Sequence, residues 1–119
     1  MQDSPASLLI VVGAIFFIVG LILMLKPPSK INSLYGYRTF MSMKNQDTWK
    51  EGNRFSSRLM TGIGLGDLLI GLILNFLDQT TGVGMVSGIL IIVVSAFLLI
   101  IITEQHLRKV FDKEGKRRT

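Results

Sequence analysis

The run SLLIVVGAIFFIVGLILML, residues 7–25, decides the fold, because it contains no charged side chain and presents no polar face. As a helix rising 1.5 Å per residue it crosses roughly 30 Å of hydrocarbon. Two further runs, 59–77 and 83–103, read the same way. The hydrophobic residues, 49% of the 119-residue chain, are therefore gathered in three blocks instead of recurring at helix or strand spacing. A soluble domain would need polar faces on these helices, and Leu8 to Leu25 and Ile89 to Ile102 offer almost none. The expected fold is all-α: an integral membrane three-helix bundle, forming one membrane domain over residues 1–119, with an interfacial helix in the loop 26–58 and a tail at 104–119.

The start of the chain, Met1-Gln2-Asp3-Ser4-Pro5, carries an acid where a secretory signal needs cations, so the first block is expected to stay as a permanent helix. Lys and Arg near the ends of spans resist translocation. All 13 fall in two places. Lys26, Lys30, Arg38, Lys44, Lys50, Arg54 and Arg58 lie between the first two spans, and Arg108, Lys109, Lys113, Lys116, Arg117 and Arg118 follow the third. Three spans put both segments on one side, so the expected topology is N-out and C-in at the cytoplasmic membrane. The short connection Asp78-Gln79-Thr80-Thr81-Gly82 makes the second and third spans antiparallel neighbours.

The first loop is far longer than a hairpin requires. Pro27-Pro28 stops the first helix, and Asn32 to Thr39 is rich in turn formers, with Gly36 free to take a left-handed conformation between Tyr35 and Tyr37. The tyrosines suit a headgroup layer, ring in apolar material and hydroxyl in water. From about Asp47 a helix begins, capped by Asp47 or Asn45. It leads into the second span with Trp49 and Phe55 facing lipid or other helices and a bend expected at Gly52. In the tail, Leu107, Val110 and Phe111 share a face while Arg108, Lys109 and Lys113 reach anionic headgroups.

Two groups of residues carry possible chemistry. Asp67 stands near the middle of the second span, on a stripe with Gly64, Gly71 and Asp78 and with Asn75 at its margin. A carboxylate at that depth costs on the order of 3 kcal/mol, so it faces protein or water. It reads either as a proton or cation relay or as a packing contact to a hydroxyl or backbone group of a neighbouring helix. Arg38 could grip a phosphate or carboxylate by its planar fork while Tyr35 and Tyr37 flank the bound group; for most of the lysines, topology and lipid contact suffice. Small-residue spacing, with Gly62 and Gly66, Gly84 and Gly88, and Gly13 and Gly20, allows close helix approach in the bundle and leaves a homo-oligomer open.

His106, alone and just past the third span, reads as a helix-end cation. There is no cysteine, and no metal cluster, activated nucleophile or phosphate loop is visible. No cofactor, metal or catalytic residue is expected, and the chain reads as no enzyme. The cations adjoin spans, which argues against direct binding of nucleic acid.

Pro28, Asn32, the run Tyr35-Gly36-Tyr37-Arg38-Thr39, then Asn45, Trp49 and Asn53 ahead of a glycine-bearing span, resemble the SdpI family of bacterial membrane proteins, over about Pro27 to the third span. The resemblance implies a non-enzymatic immunity protein that guards the cell membrane against a secreted membrane-active peptide. It also implies signalling that holds a cytoplasmic repressor at the membrane, with the chain matching the C-terminal half of the family's namesake. The binding residues it implies are Asn32, Tyr35, Gly36, Tyr37, Arg38, Thr39, Trp49 and Asn53, with Asp67 added from its place in the span. The implied partners are membrane lipids, a peptide toxin and a cytoplasmic repressor. The rival reading is a small transporter or lipid-handling protein that uses Asp67 and the Arg38 loop; an accessory subunit of a larger membrane complex is a third.

Overall fold

The computed structural model describes residues 7–77 and 81–118. It has three helices, α1 (Ser7–Leu25), α2 (Gln46–Phe76) and α3 (Thr81–Val110), with no strand among the described residues. All three are long and apolar enough to cross a membrane, and the chain is a multi-pass membrane protein. Asp78 and the rest of the connection 78–80, together with the surroundings of Gly84, lie outside the described residues.

Helices α2 and α3 are much longer than their apolar runs. At 31 residues, α2 extends roughly 46 Å, about half as long again as the hydrocarbon it has to cross. The polar portion, residues 46–58, lies ahead of the apolar run, and α3 likewise continues past Thr103 to Val110. These two projections, the loop 26–45 and the tail pack together at what we call the basic end.

Helix α2 opens on a reciprocal cap. The Asn45 side chain accepts from the Thr48 amide at 2.9 Å, and the Thr48 hydroxyl accepts from the Asn45 amide at 3.0 Å. Asn45 is thus the cap, which leaves Asp47 to bond elsewhere. No break occurs at Gly52: α2 runs through it unbroken, and the residue serves close packing instead. A Cβ there would lie 3.2 Å from Ser42 Cβ and 3.4 Å from Leu107 Cδ1.

The closest packing is between α1 and α2, backbone against backbone. A Cβ on Gly13 would lie 2.6 Å from the Leu68 nitrogen, one on Gly64 would strike the backbone of Phe17, and one on Gly71 would lie 2.7 Å from Ile10 Cγ1. Gly20 sits in the same way over Thr61. The stripe Gly64, Asp67, Gly71 is buried, as its spacing predicts. The pair Gly62 and Gly66 does not play the packing role expected of it, since among the described residues nothing beyond the adjoining turns of α2 lies within 4 Å of a Cβ at either. The reason is helical geometry: a step of two residues turns about 200°, so positions two away from Gly64 point to the opposite side. Gly88 on α3 is buried.

Candidate functional site

The loop is fixed to α2 from below. Trp49 is fully buried and its indole N–H donates to the Pro28 carbonyl at 2.7 Å, so the proline corner that ends α1 sits on the first turns of α2. Of the two surroundings expected for Trp49, lipid or other helices, it takes a protein one: a buried indole needs an acceptor, and Pro28 offers its carbonyl. Asn32 then makes an Asx-type turn, its side-chain oxygen accepting from the amides of Leu34 at 2.9 Å and Tyr35 at 2.7 Å. Gly36 follows at φ +106°, where a Cβ would also lie 2.7 Å from Pro28 Cγ. Only glycine meets both demands.

Behind Gly36 the chain reaches Asn53, whose side-chain oxygen accepts from the Tyr37 amide at 2.6 Å while its amide group donates to the Trp49 carbonyl at 2.9 Å. Thr39 and Ser42 close a small turn: the Ser42 hydroxyl accepts from the Thr39 amide at 2.8 Å and donates toward the Tyr37 carbonyl at 3.0 Å. Arg38 is exposed, and one guanidinium nitrogen donates to the Ser33 carbonyl. The structure therefore joins Tyr37, Thr39, Trp49 and Asn53 by hydrogen bonds, through Ser42 and Pro28, with Gly36 packed against Asn53, the Asn32 turn leading in through Tyr35, and Arg38 on the outside.

Both tyrosine hydroxyls bond within the protein, that of Tyr35 at an exposed position and that of Tyr37 at a half-buried one. Tyr35 donates to the Lys26 carbonyl at 2.6 Å, and Tyr37 donates to Glu104 of α3 at 2.7 Å. Burial, then the hydrogen bond and charge of Glu104, push the Tyr37 phenol well above the ordinary tyrosine range.

A second lock lies one turn away. Glu51, on the polar portion of α2 ahead of its apolar run, takes two hydrogen bonds from Arg54, at 2.6 and 3.1 Å, and faces His106 Nε2 at 2.6 Å. Burial works to raise the Glu51 carboxyl, but the bonds from Arg54 and His106 outweigh it and hold it below the usual glutamate range. The His106 ring stacks on Phe55 with centroids 4.0 Å apart. His106 is thus a cross-helix partner and not simply a helix-end cation.

The apolar face expected of the tail is turned into the protein. Leu107 and Phe111 are fully buried within the protein, and after Val110 the chain folds back so that Arg117 grips Asp47 through two bonds of 2.9 Å and the Asn45 side chain donates to the Gly115 carbonyl at 2.8 Å.

Asp67 lies apart from this assembly. It is buried, and one carboxyl oxygen accepts from Ser95 of α3 at 3.0 Å, which is the hydroxyl contact expected of a packing role. Its other oxygen has no hydrogen-bond partner among the described residues, and the residue borders a lipid-facing groove of about 420 Å³ with Ile63, Gly66 and Val94.

Glu51, Glu104 and Ser95 are the residues that sequence reading missed. Each acts through a partner many positions away, 55 residues for Glu51 with His106 and 67 for Tyr37 with Glu104, so no local spacing marks them. The exception is Glu51 with Arg54, whose spacing of three residues is that of a helical ion pair and was the local hint available.

Comparison with known proteins gives two matches. The model of the SdpI/YfhL protein family matches residues 29–103. An uncharacterized protein, YfhL of Bacillus subtilis strain 168, is 33% identical over 108 residues, covering 90% of this chain and 92% of its own. No solved structure matches.

Proposed function

This chain belongs to the SdpI/YfhL protein family, and from there we propose that it is a non-enzymatic immunity-type protein of the bacterial cytoplasmic membrane. It protects that membrane against a secreted membrane-active peptide and relays the encounter to a cytoplasmic regulator. One observation carries the reading: the loop that bears the family's residues is bonded to the far end of α3 by Tyr37 with Glu104, and the start of α2 to the same end of α3 by Glu51 with His106. A peptide that shifts α3 against α2 within the bilayer therefore alters the loop and tail together. Arg38, exposed and among the described residues bonded through one nitrogen, keeps donors open for an incoming carboxylate.

The test is deletion and re-expression in the native host, measuring survival against secreted peptides of the same species and its relatives at matched membrane abundance. The wild-type chain and Asp67→Asn restore survival, and Arg38→Lys does not. A deletion strain as resistant as its parent would remove the immunity reading; a fully active Arg38→Lys would remove Arg38 from recognition. The unpartnered Asp67 oxygen favours the rival, a small transporter or lipid-handling protein, and loss of function in Asp67→Asn alone would establish that rival in its place.

The orientation proposed is N-out and C-in, on the distribution of the cations. Ser42 is fully buried and a poor reporter, whereas Lys44 is exposed. Cysteines placed at Gln2 and Thr80 react with an impermeant thiol reagent in intact cells, and Lys44→Cys reacts only after lysis; the reverse pattern inverts the topology.

A further inference from the structure

Lys50, Arg54 and Arg58 recur every fourth residue along one side of α2, immediately ahead of its apolar run. Like charges at this spacing repel. Glu51 relieves Arg54, but Lys50 and Arg58 are exposed and form no ion pair among the described residues. These cations border a groove of about 580 Å³, and its opposite wall is the end of α1 and the proline corner, with Leu23, Met24 and Pro27. Polar groups on the floor are already satisfied within the chain: Asn53 donates to the Trp49 carbonyl at 2.9 Å and Ser57 to the Arg54 carbonyl at 3.1 Å.

One wall is thus cationic, and unneutralised at Lys50 and Arg58 among the described residues, the other apolar, and the groove lies where the apolar run of α1 ends and that of α2 begins. That is the depth of lipid headgroups. A soluble anion would leave the Leu23 and Met24 wall uncovered, and a zwitterionic lipid would leave the cations uncompensated. We propose that the groove holds one anionic phospholipid, its phosphate oxygens on Lys50 and Arg58 and its first acyl methylenes against Leu23 and Met24. This holds whether or not the chain confers immunity, and on whichever side of the membrane the basic end lies.

The test is native mass spectrometry of the full chain in detergent, offered phosphatidylglycerol, phosphatidylcholine or inorganic phosphate. The wild-type chain retains one phosphatidylglycerol, at least about tenfold in preference to phosphatidylcholine. Lys50→Gln with Arg58→Gln weakens retention about tenfold, while Arg108→Gln with Lys113→Gln, an equal loss of charge in the tail, changes it less than about twofold. Met24→Ser, which leaves every charge in place, also weakens it. Should the groove pair fail to fold, Arg58→Gln alone is compared with Arg108→Gln. Equal loss in groove and tail variants, equal retention of phosphatidylcholine, or displacement of the lipid by inorganic phosphate would each overturn the proposal.

Discussion

Between α1 and α2 the molecule is held by what its side chains lack, whereas at the basic end it is held by what they supply. Gly13 and Gly64 let two backbones meet with no room for a methyl group, and the contact is almost wholly dispersion. At the basic end, Tyr37, Glu51, Asn53 and Asp47 cross-link loop, helix and tail through hydrogen bonds. The difference teaches that the two regions fail differently. A glycine interface tolerates almost no added volume, while a polar network loses one bond at a time.

The largest effect should come from Gly64→Leu, which drives a branched side chain into the Phe17 backbone. Overpacking of this kind costs about 3 kcal/mol or more, and folded protein recovered from the membrane should fall steeply. Tyr37→Phe should rank second: it removes the bond to Glu104 and costs roughly 1–2 kcal/mol, read as a lower midpoint of unfolding in detergent. In Glu104→Gln the same substitution should cost less, because the charge-assisted part of the bond is already gone. Gly62→Leu should have the smallest effect, within about 0.5 kcal/mol, because a side chain there enters open space. If Gly62→Leu proved as harmful as Gly64→Leu, the assignment of the packing face would be wrong.

The apolar region was the more legible from sequence. Three uninterrupted hydrophobic runs state their own length, and the stripe of Gly64, Asp67 and Gly71 follows from helical period alone. Choosing among the glycines was harder, since a spacing of four residues fits Gly62 and Gly66 while the interface uses Gly64 and Gly71, a heptad apart like Gly13 and Gly20. At the basic end the residues around Tyr37 stood out, yet their use did not. Trp49 was expected to face lipid or other helices, with nothing to name the Pro28 carbonyl as its partner, and His106 was expected to answer the helix dipole and bonds Glu51. Those partners are chosen by tertiary proximity, which composition and local spacing do not encode. The spacing of Lys50, Arg54 and Arg58 was visible, but the apolar wall facing them belongs to α1.

The bond between Tyr37 and Glu104 also sets a timetable. Its partners are 67 residues apart in the chain, so at about 5–20 residues per second the loop waits roughly 3–13 s on the ribosome for the acceptor that completes it. Arg117, which grips Asp47, arrives later still. Until residues 106 and 107 are made, Glu51 is without His106 and Gly52 is without Leu107 over it. The basic end is therefore the last part of the molecule to be assembled, and its closure certifies that all three helices have been inserted.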